Sequence, residues 1–439
     1  MKKWLVFVSV IAILFIGGLL RQHNLSVWPR EGATFDEFAW TFQGISILNT
    51  GVPESWSPHA SYTNKTEYFN PQGARFTLVK PYLEHPPLFG VVAGTFAKLR
   101  GVNTFDDVTI AKIRPLALIM GLLSIFAIFL LASAVYGNVV GMVASGIYAI
   151  LPTVVIGSRL VQNENFFIPL FLFALYFAYK YLERSKNSYL FLTALLCGLL
   201  PLAKIPWITG SVAVLAMFLF AKKWKAAGIV LATTGVFLGA WLIYGYSVAP
   251  VLFGSLWKLQ LARYDMAFDS LFILFRDPIT ADRLLVDGWI YFGWVAMIWL
   301  CTKDIKKNLP IIFGFLAYVA VFVFAIPSEP SHGWYRYPFY PFLVIAIAVF
   351  LKEYLNKNYL VTAMSFVVIG LSMFAGSWGR VLGFSYPVFR TYLVAVACGA
   401  MPAIFPKLAN KKIFRMINIA LCVEIVLLTI WTVLVYNEQ

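Results

Sequence analysis

Long apolar runs separated by short polar connectors fill most of the sequence. An apolar run of about 20 residues can cross the roughly 30 Å hydrocarbon core of a bilayer as a helix. The runs are 4–20, 113–135, 139–156, 166–181, 189–202, 208–220, 226–246, 284–300, 309–326, 337–351, 359–375, 388–405 and 417–436. The pattern predicts an all-α polytopic membrane protein of about 13 transmembrane helices, which we interpret as a single transmembrane domain covering residues 1–439.

Two longer connectors interrupt this pattern. Residues 21–112 contain the apolar run 88–97, which at about ten residues is too short to cross the bilayer and predicts an interfacial or re-entrant helix. We therefore expect juxtamembrane helices in this connector. We interpret the second connector, 247–284, as a cover over a cavity, because it is rich in aromatic and charged side chains. These are Trp257, Lys258, Arg263, Tyr264, Asp265 and Arg276.

Positive charge orients the predicted helices. Lysine and arginine cluster in every second connector. Cytoplasmic connectors typically carry such clusters, and these connectors lie in the cytoplasm if the 88–97 run does not cross the membrane. Examples are Arg184, Lys186, Lys222, Lys223, Lys306 and Lys307. The first run lacks a small-residue cleavage site and is predicted to be an uncleaved span. The pattern predicts a plasma-membrane protein with a cytoplasmic N-terminus and both long connectors outside the cell.

Composition supports the membrane class. The chain is 60% hydrophobic and 13% charged, whereas soluble proteins carry about 25% charged residues. The formal net charge of +15 reflects cytoplasmic connectors that lie next to anionic lipid, so membrane lipids are the expected partners. No basic run is long enough for a nucleic-acid arm, and nucleic acid is not an expected partner.

The first candidate for chemistry is the acidic pair Asp36 and Glu37, about a dozen residues after the first apolar run. A carboxylate at the lipid–water boundary is only partly solvated, which raises its pKa and suits a general base. The alternative is a polar start to a surface helix, with Asp36 as its cap. The pair alone does not choose between these interpretations.

Further ionisable residues lie at the predicted outer ends of other spans. Glu164, Arg114, Lys204 and Arg336 each cost a few kcal/mol at such a depth unless they are paired or hydrated. One interpretation is a shared polar cavity with acids and anion ligands. The other is a set of structural ion pairs and basic side chains that reach to the interface.

The four histidines also lie on the predicted outer face. Asp36, His59, His85 and His332 could in principle converge on a divalent metal, but no HxxxH or HExxH spacing is present. No cofactor is firmly predicted; a divalent metal stays open, with His85 and His332 as candidate ligands. His85 before Pro86 could instead mark the start of a helix.

Taken together, these motifs resemble a known family. They are Asp36-Glu37, His85-Pro86-Pro87-Leu88, Arg114, Ser158-Arg159 followed by Glu164, and Arg336-Tyr337 followed by Pro341. The chain resembles the polyprenyl-phosphate-dependent glycosyltransferases of family 39, which have the GT-C membrane fold. Relatives include protein O-mannosyltransferases and the lipid A aminoarabinose transferase. The resemblance covers roughly the first 210 residues and resumes at Trp334.

The resemblance implies a role for each matching residue. Asp36 looks like the catalytic base and Glu37 like its partner. Glu164 stands at a second acidic position, where many members carry Asp. Binding of the donor phosphate or substrate would fall to Arg336, Lys204, His85, Arg114 and Tyr335.

The implied reaction moves a sugar from a polyprenyl-monophosphate carrier to an acceptor hydroxyl on a lipid, glycan or protein. A single displacement would invert the anomeric carbon without a covalent sugar–enzyme intermediate. The alternative function is a transporter or flippase of lipid-linked sugars, although no internal repeat is visible and the ionisable residues gather at one face. A third is a transferase or ligase with a pyrophosphate-linked donor.

Overall fold

Helices make up most of the structure. A computed structural model describes residues 2–69, 75–262, 274, 279–280, 285, 287–325, 332–355, 359–377, 385–404 and 411–438. The α-helices are α1 (Lys3–Gln22), α2 (Asp36–Thr50), α3 (Leu88–Leu99), α4 (Ile110–Tyr136), α5 (Asn138–Ile150), α6 (Pro152–Gly157), α7 (Asn163–Arg184), α8 (Asn187–Ala203), α9 (Ile208–Phe220), α10 (Trp224–Val248), α11 (Pro250–Ala262), α12 (Gly288–Cys301), α13 (Leu309–Ala325), α14 (Tyr340–Tyr354), α15 (Tyr359–Ser377), α16 (Tyr386–Ile404) and α17 (Lys411–Val435). Two 3-10 helices, Ile205–Trp207 and Gly333–Phe339, lead into α9 and α14.

The apolar pattern located the helices correctly. Every predicted run coincides with a helix, and the short run 88–97 forms α3. Within the described residues, six helices are long and apolar enough to cross a membrane. They are Lys3–Gln22, Ile110–Tyr136, Asn163–Arg184, Trp224–Val248, Gly333–Tyr354 and Lys412–Val435. The all-α membrane fold is confirmed, while the number of 13 spans stays a prediction.

One predicted run is broken in two. The run 139–156 forms α5 and α6, with Leu151 in an extended conformation between them. Pro152 has no backbone N–H to donate into α5, but it fits the first turn of α6, where that donor has no helical acceptor. The break ends α5 before the predicted end of the run and turns the chain toward α7.

The first long connector contains, besides the predicted helices, a small antiparallel sheet that was not predicted. Its strands are β1 (Ser55–Trp56), β2 (Lys65–Phe69) and β3 (Arg75–Val79), in the order β1-β3-β2. In β3, Phe76 and Leu78 alternate with more exposed residues and are buried, which is the period of two expected for a strand with one covered face. The sheet provides a firm support for the loop 57–62.

The glycines of α2 and α3 allow these helices to touch along their backbones. A Cβ atom on Gly44 would lie 1.8 Å from the carbonyl oxygen of Gly90, and one on Gly94 would lie 2.4 Å from the carbonyl carbon of Gly44. Any larger residue would push the helices apart. The close packing fixes the start of α2, with Asp36, relative to the start of α3, which His85 precedes.

Two buried arginines fasten the connector between α1 and α2. Arg159 donates to the carbonyl oxygens of Trp28 (3.2 Å) and Leu20 (3.0 Å), and Arg21 donates to that of Ala149 (3.0 Å). Both side chains are fully buried. Hydrogen bonds to backbone carbonyls partly compensate the cost of burying these charges, and they hold the segment that leads to Asp36.

Candidate active site

A cavity of about 470 Å³ opens where the ends of several elements meet. Its wall comes from the start of α2, the loops before β2 and α3, the 3-10 helix after α8, α11, and the segment 332–335. Six tryptophans contribute to the lining: Trp40, Trp56, Trp207, Trp241, Trp257 and Trp334. Among the predicted site residues, Asp36, His85, Lys204, His332 and Tyr335 lie on this wall.

Asp36 is the first residue of α2 and is partly buried in the wall. Burial raises the pKa of its carboxyl to about 6; Lys204 and Gln162 oppose this shift, and the carboxylates of Glu164 and Glu37 add to it. Gln162 Nε2 lies 3.4 Å from Asp36 Oδ2 and donates to Thr34 Oγ1 at 3.0 Å. Asp36 can therefore hold or release a proton near neutral pH.

Glu37 points away from the cavity into the protein. Its two carboxylate oxygens accept from Arg114 Nε (3.1 Å) and Nη2 (2.9 Å), and Oε1 also accepts from the backbone N–H of Val161 (3.0 Å). The third guanidinium nitrogen of Arg114, Nη1, donates to the carbonyl oxygens of Leu25 and Pro29. Glu37 and Arg114 are fully buried, so the pair ties α2 to α4 and to the segment before α7.

Lys204 and Glu164 form a second ion pair, at the cavity edge. Lys204 Nζ lies 2.9 Å from Glu164 Oε1; the side chain of Glu164 is fully buried, whereas that of Lys204 is 12% exposed. Burial lowers the pKa of Lys204, but the charge of Glu164 and the hydroxyl of Tyr335 outweigh it, so the pKa lies above its usual range. Lys204 thus stays a cation and presents its ammonium group to the cavity.

Aromatic rings and an asparagine hold Lys204 in place. Its ammonium nitrogen lies 5.4 Å from the ring centre of Trp207 and 5.0 Å from that of Tyr335, within the range of cation–π attraction. Asn163 accepts from Trp207 Nε1 at 2.6 Å and donates to the carbonyl oxygen of Ala203 at 2.8 Å. The residue pair Asn163-Glu164 therefore positions both the cation and its aromatic wall.

The other predicted residues divide between the wall and the interior. His85 packs against Trp40 with ring centres 5.0 Å apart, and His332 stacks on Trp334 at 4.3 Å. Arg336 belongs to the 3-10 helix before α14, is buried, and lies outside the set of wall residues in the described part of the chain. Its predicted contact with the lipid phosphate stays a prediction.

Asp36, His59, His85 and His332, considered above as possible ligands of one metal ion, all line this cavity. Within the described residues, however, no group of three or more His, Cys, Asp or Glu side chains is close enough to hold a metal ion.

Two contacts around the cavity were not predicted. The sequence interpretation gave no role to Gln162, although its amide joins Thr34 to Asp36; the motif around Glu164 was the available signal. His59 was considered only as a metal ligand, yet it pairs with Glu84, with Nε2 3.3 Å from Oε2. The two residues are 25 positions apart, with β2 and β3 between them, so the sequence gave no indication of that pair.

The predicted cover is partly described. Residues 250–262 form α11, which contributes Leu256, Trp257 and Gln260 to the wall. Four of the residues proposed for the cover, Arg263, Tyr264, Asp265 and Arg276, lie outside the described residues. The closing role of this connector stays a prediction.

Comparison with known proteins gives a family match over part of the chain, and a fold. A family model described as dolichyl-phosphate-mannose-protein mannosyltransferase matches residues 84–253. No curated protein matches the chain. The family match includes His85, Arg114, Glu164 and Lys204.

Solved structures match over nearly the whole chain. ArnT from Cupriavidus metallidurans bound to undecaprenyl phosphate is 14% identical, with 99% of this chain and 77% of that chain covered and a TM-score of 0.58. The apo oligosaccharyltransferase from Archaeoglobus fulgidus is 12% identical, with 96% and 56% covered and a TM-score of 0.54. The archaeal enzyme AglB, in complex with an inhibitory peptide and a dolichol-phosphate, is 12% identical, with 95% and 56% covered and a TM-score of 0.51. The chain thus spans little more than half the length of the archaeal enzymes. These structures confirm the GT-C membrane fold, and the family match over residues 84–253 supports the resemblance identified from the sequence.

Proposed function

We propose that the protein is an inverting membrane glycosyltransferase that takes a sugar from a polyprenyl-monophosphate carrier and transfers it to an acceptor hydroxyl. The observation that carries this proposal is the presence of a raised-pKa carboxylate, Asp36, and a retained cation, Lys204, on the wall of one cavity. The family match over residues 84–253, and the lipid phosphates bound by two structures with the same fold, support this donor class.

The two groups divide the reaction between them. Asp36 accepts the proton of the acceptor hydroxyl while the acceptor oxygen bonds to the anomeric carbon. The bond between that carbon and the phosphate oxygen breaks, and its electron pair leaves with polyprenyl phosphate. Lys204 stabilises the developing phosphate charge, helped by the low dielectric of the aromatic wall. We assign Glu37 and Arg114 the role of holding Asp36, because both are fully buried and paired with each other.

We place the cavity on the extracytoplasmic side. Glu164 and Lys204 stand at the cavity ends of α7 and α8, whereas Arg184 and Lys186 stand at the opposite ends of these helices. Cytoplasmic connectors are enriched in lysine and arginine. The cavity would then face away from the cytoplasm. The donor would reach it from the outer leaflet of the membrane.

The pH dependence of sugar transfer tests the assignment of the base. The free Asp36 carboxylate is the active form, so the rate of polyprenyl-phosphate release should rise as the pH increases through about 6 and level off above it. The measurement is kcat/KM between pH 4.5 and 8.5 in proteoliposomes. A rate that falls over this range would contradict the proposal.

Replacing Lys204 by Met should weaken transition-state stabilisation and donor binding together. A hydrogen bond to a charged group contributes about 1.5–3 kcal/mol, so kcat/KM for the donor should fall about 10- to 100-fold. Lys204→Met leaves the buried carboxylate of Glu164 without its partner. The double variant Lys204→Met/Glu164→Gln replaces that carboxylate by a neutral amide and is therefore the control for misfolding. If the double variant regains wild-type kcat/KM, Lys204 does not bind the donor.

A further inference from the structure

A second pair of ionisable side chains lies on the cavity wall and has no part in the reaction above. His59 Nε2 lies 3.3 Å from Glu84 Oε2; the side chains are 21% and 7% exposed. Because Nε2 faces the Glu84 carboxylate, the other ring nitrogen, Nδ1, is left for a ligand. No hydrogen bond of Nδ1 occurs within the described part of the chain. Glu84 therefore orients an imidazole whose second nitrogen can bind.

The backbone around this pair is fixed. Ser57 N donates to the carbonyl oxygen of Thr77 in β3 (3.0 Å), and His59 N donates to Ser57 Oγ (3.1 Å). On the other segment, the backbone N–H of Leu83 donates to the hydroxyl of Tyr62 at 3.1 Å. Both partners are thus held by the sheet and by each other, as expected for a preformed binding site rather than a mobile surface pair.

Charge divides the cavity wall into two parts. Lys204 is the cation for the phosphate and interacts with Asp36, whereas Glu84 is the carboxylate next to His59 and repels an anion. Tyr82 joins the acidic part: burial raises the pKa of its hydroxyl well above the usual range, and the charges of Glu84 and Asp36 add to the shift. A group that occupies the part next to His59 must therefore be uncharged or cationic.

The neighbouring ring suits a sugar. Trp56 lies on the same wall and packs edge-on against Phe35, with ring centres 6.0 Å apart. An indole offers a flat apolar face to the C–H groups of a pyranose, while imidazole and carboxylate groups bind its hydroxyls. An indole and an oriented imidazole on the wall of one cavity are a combination that fits a neutral carbohydrate.

We propose that His59, oriented by Glu84, forms with Trp56 of the same cavity wall an acceptor subsite that binds a neutral sugar ring. This inference rests on the proposed transferase function and deepens it, since it makes the acceptor an uncharged glycan rather than a phosphorylated or carboxylated one. His59 contacts the acceptor sugar, and Glu84 is a positioning residue.

The test is direct binding of acceptor analogues to the purified full chain in nanodiscs. Saturation-transfer NMR would measure binding of neutral methyl glycosides and oligosaccharides, of the matching uronic acids, and of a Ser/Thr peptide. The variants are His59→Ala and Glu84→Gln. The control is Glu67→Gln, which breaks an exposed ion pair with Arg75 on the same connector.

We expect at least one neutral glycoside to bind the wild type and the control equally, and its Kd to rise about tenfold in both cavity variants. Thermal unfolding should stay unchanged in all proteins that are compared. The inference is overturned if glycosides bind His59→Ala as well as the wild type, if only uronic acids or the peptide bind, or if no probe binds. Failure of every donor to react would instead count against the proposed function.

Discussion

Replacing Asp36 by Asn is expected to lower the turnover of sugar transfer by about 10²- to 10⁴-fold, the usual contribution of a general base. Asn has nearly the same shape and keeps an oxygen for the amide of Gln162, which lies 3.4 Å from Asp36 Oδ2. The donor should therefore bind with little change in KM, and the loss should fall on kcat. The measurement is steady-state release of polyprenyl phosphate in the presence of acceptor.

A matched control is Asp106→Asn. Asp106 is an exposed aspartate of the same long connector and lies outside the cavity wall as described. It should retain wild-type turnover. Equal turnover in Asp36→Asn and the wild type would remove Asp36 from the mechanism, and a loss that appears only in KM would make it a binding residue.

Replacing Glu37 by Gln is expected to destabilise the protein by about 3–5 kcal/mol, because it leaves the charge of Arg114 buried without its partner. The backbone N–H of Val161 keeps an acceptor in the Gln amide oxygen, so the effect reports mainly on the lost charge pair. The measurement is the free energy of unfolding in mixed micelles, with SDS as denaturant.

The double variant Glu37→Met/Arg114→Met separates the charge from the packing. It should regain part of the loss, since two apolar side chains replace a buried ion pair at low cost. It should not regain all of it, because the carbonyl oxygens of Leu25 and Pro29 lose their donor. The exposed pair Arg75–Glu67 is the control, and Glu67→Gln should leave the stability nearly unchanged. If Glu37→Gln were as stable as the wild type, Glu37 and Arg114 would not anchor α2.

Hydropathy located the helices because a membrane-spanning segment must hydrogen-bond its own backbone groups, as a helix does, and expose apolar side chains to lipid. It did not find the break at Pro152, since the apolar run continues through it. The strands around Phe69 and Arg75 were also missed, because β2 is largely exposed and gives no alternating apolar signal.

The sequence predicted which residue types meet, but not how they pair. Glu37 was expected to assist the base and Arg114 to bind the donor, yet 77 residues of chain separate two groups that the fold joins in one buried contact. Lys204 and Glu164 were likewise predicted separately and are 2.9 Å apart. Such pairings depend on helix packing, which a single sequence does not encode locally.

The most direct measurement of the central claim is product analysis of the wild-type protein in proteoliposomes supplied with a panel of polyprenyl-phosphate sugars and acceptors. Free polyprenyl phosphate and the anomeric configuration of the product would be determined by NMR in the same sample. The account predicts release of polyprenyl phosphate and an inverted linkage from at least one donor. Retention of configuration, or passage of intact donors across the bilayer without release from any of them, would contradict it.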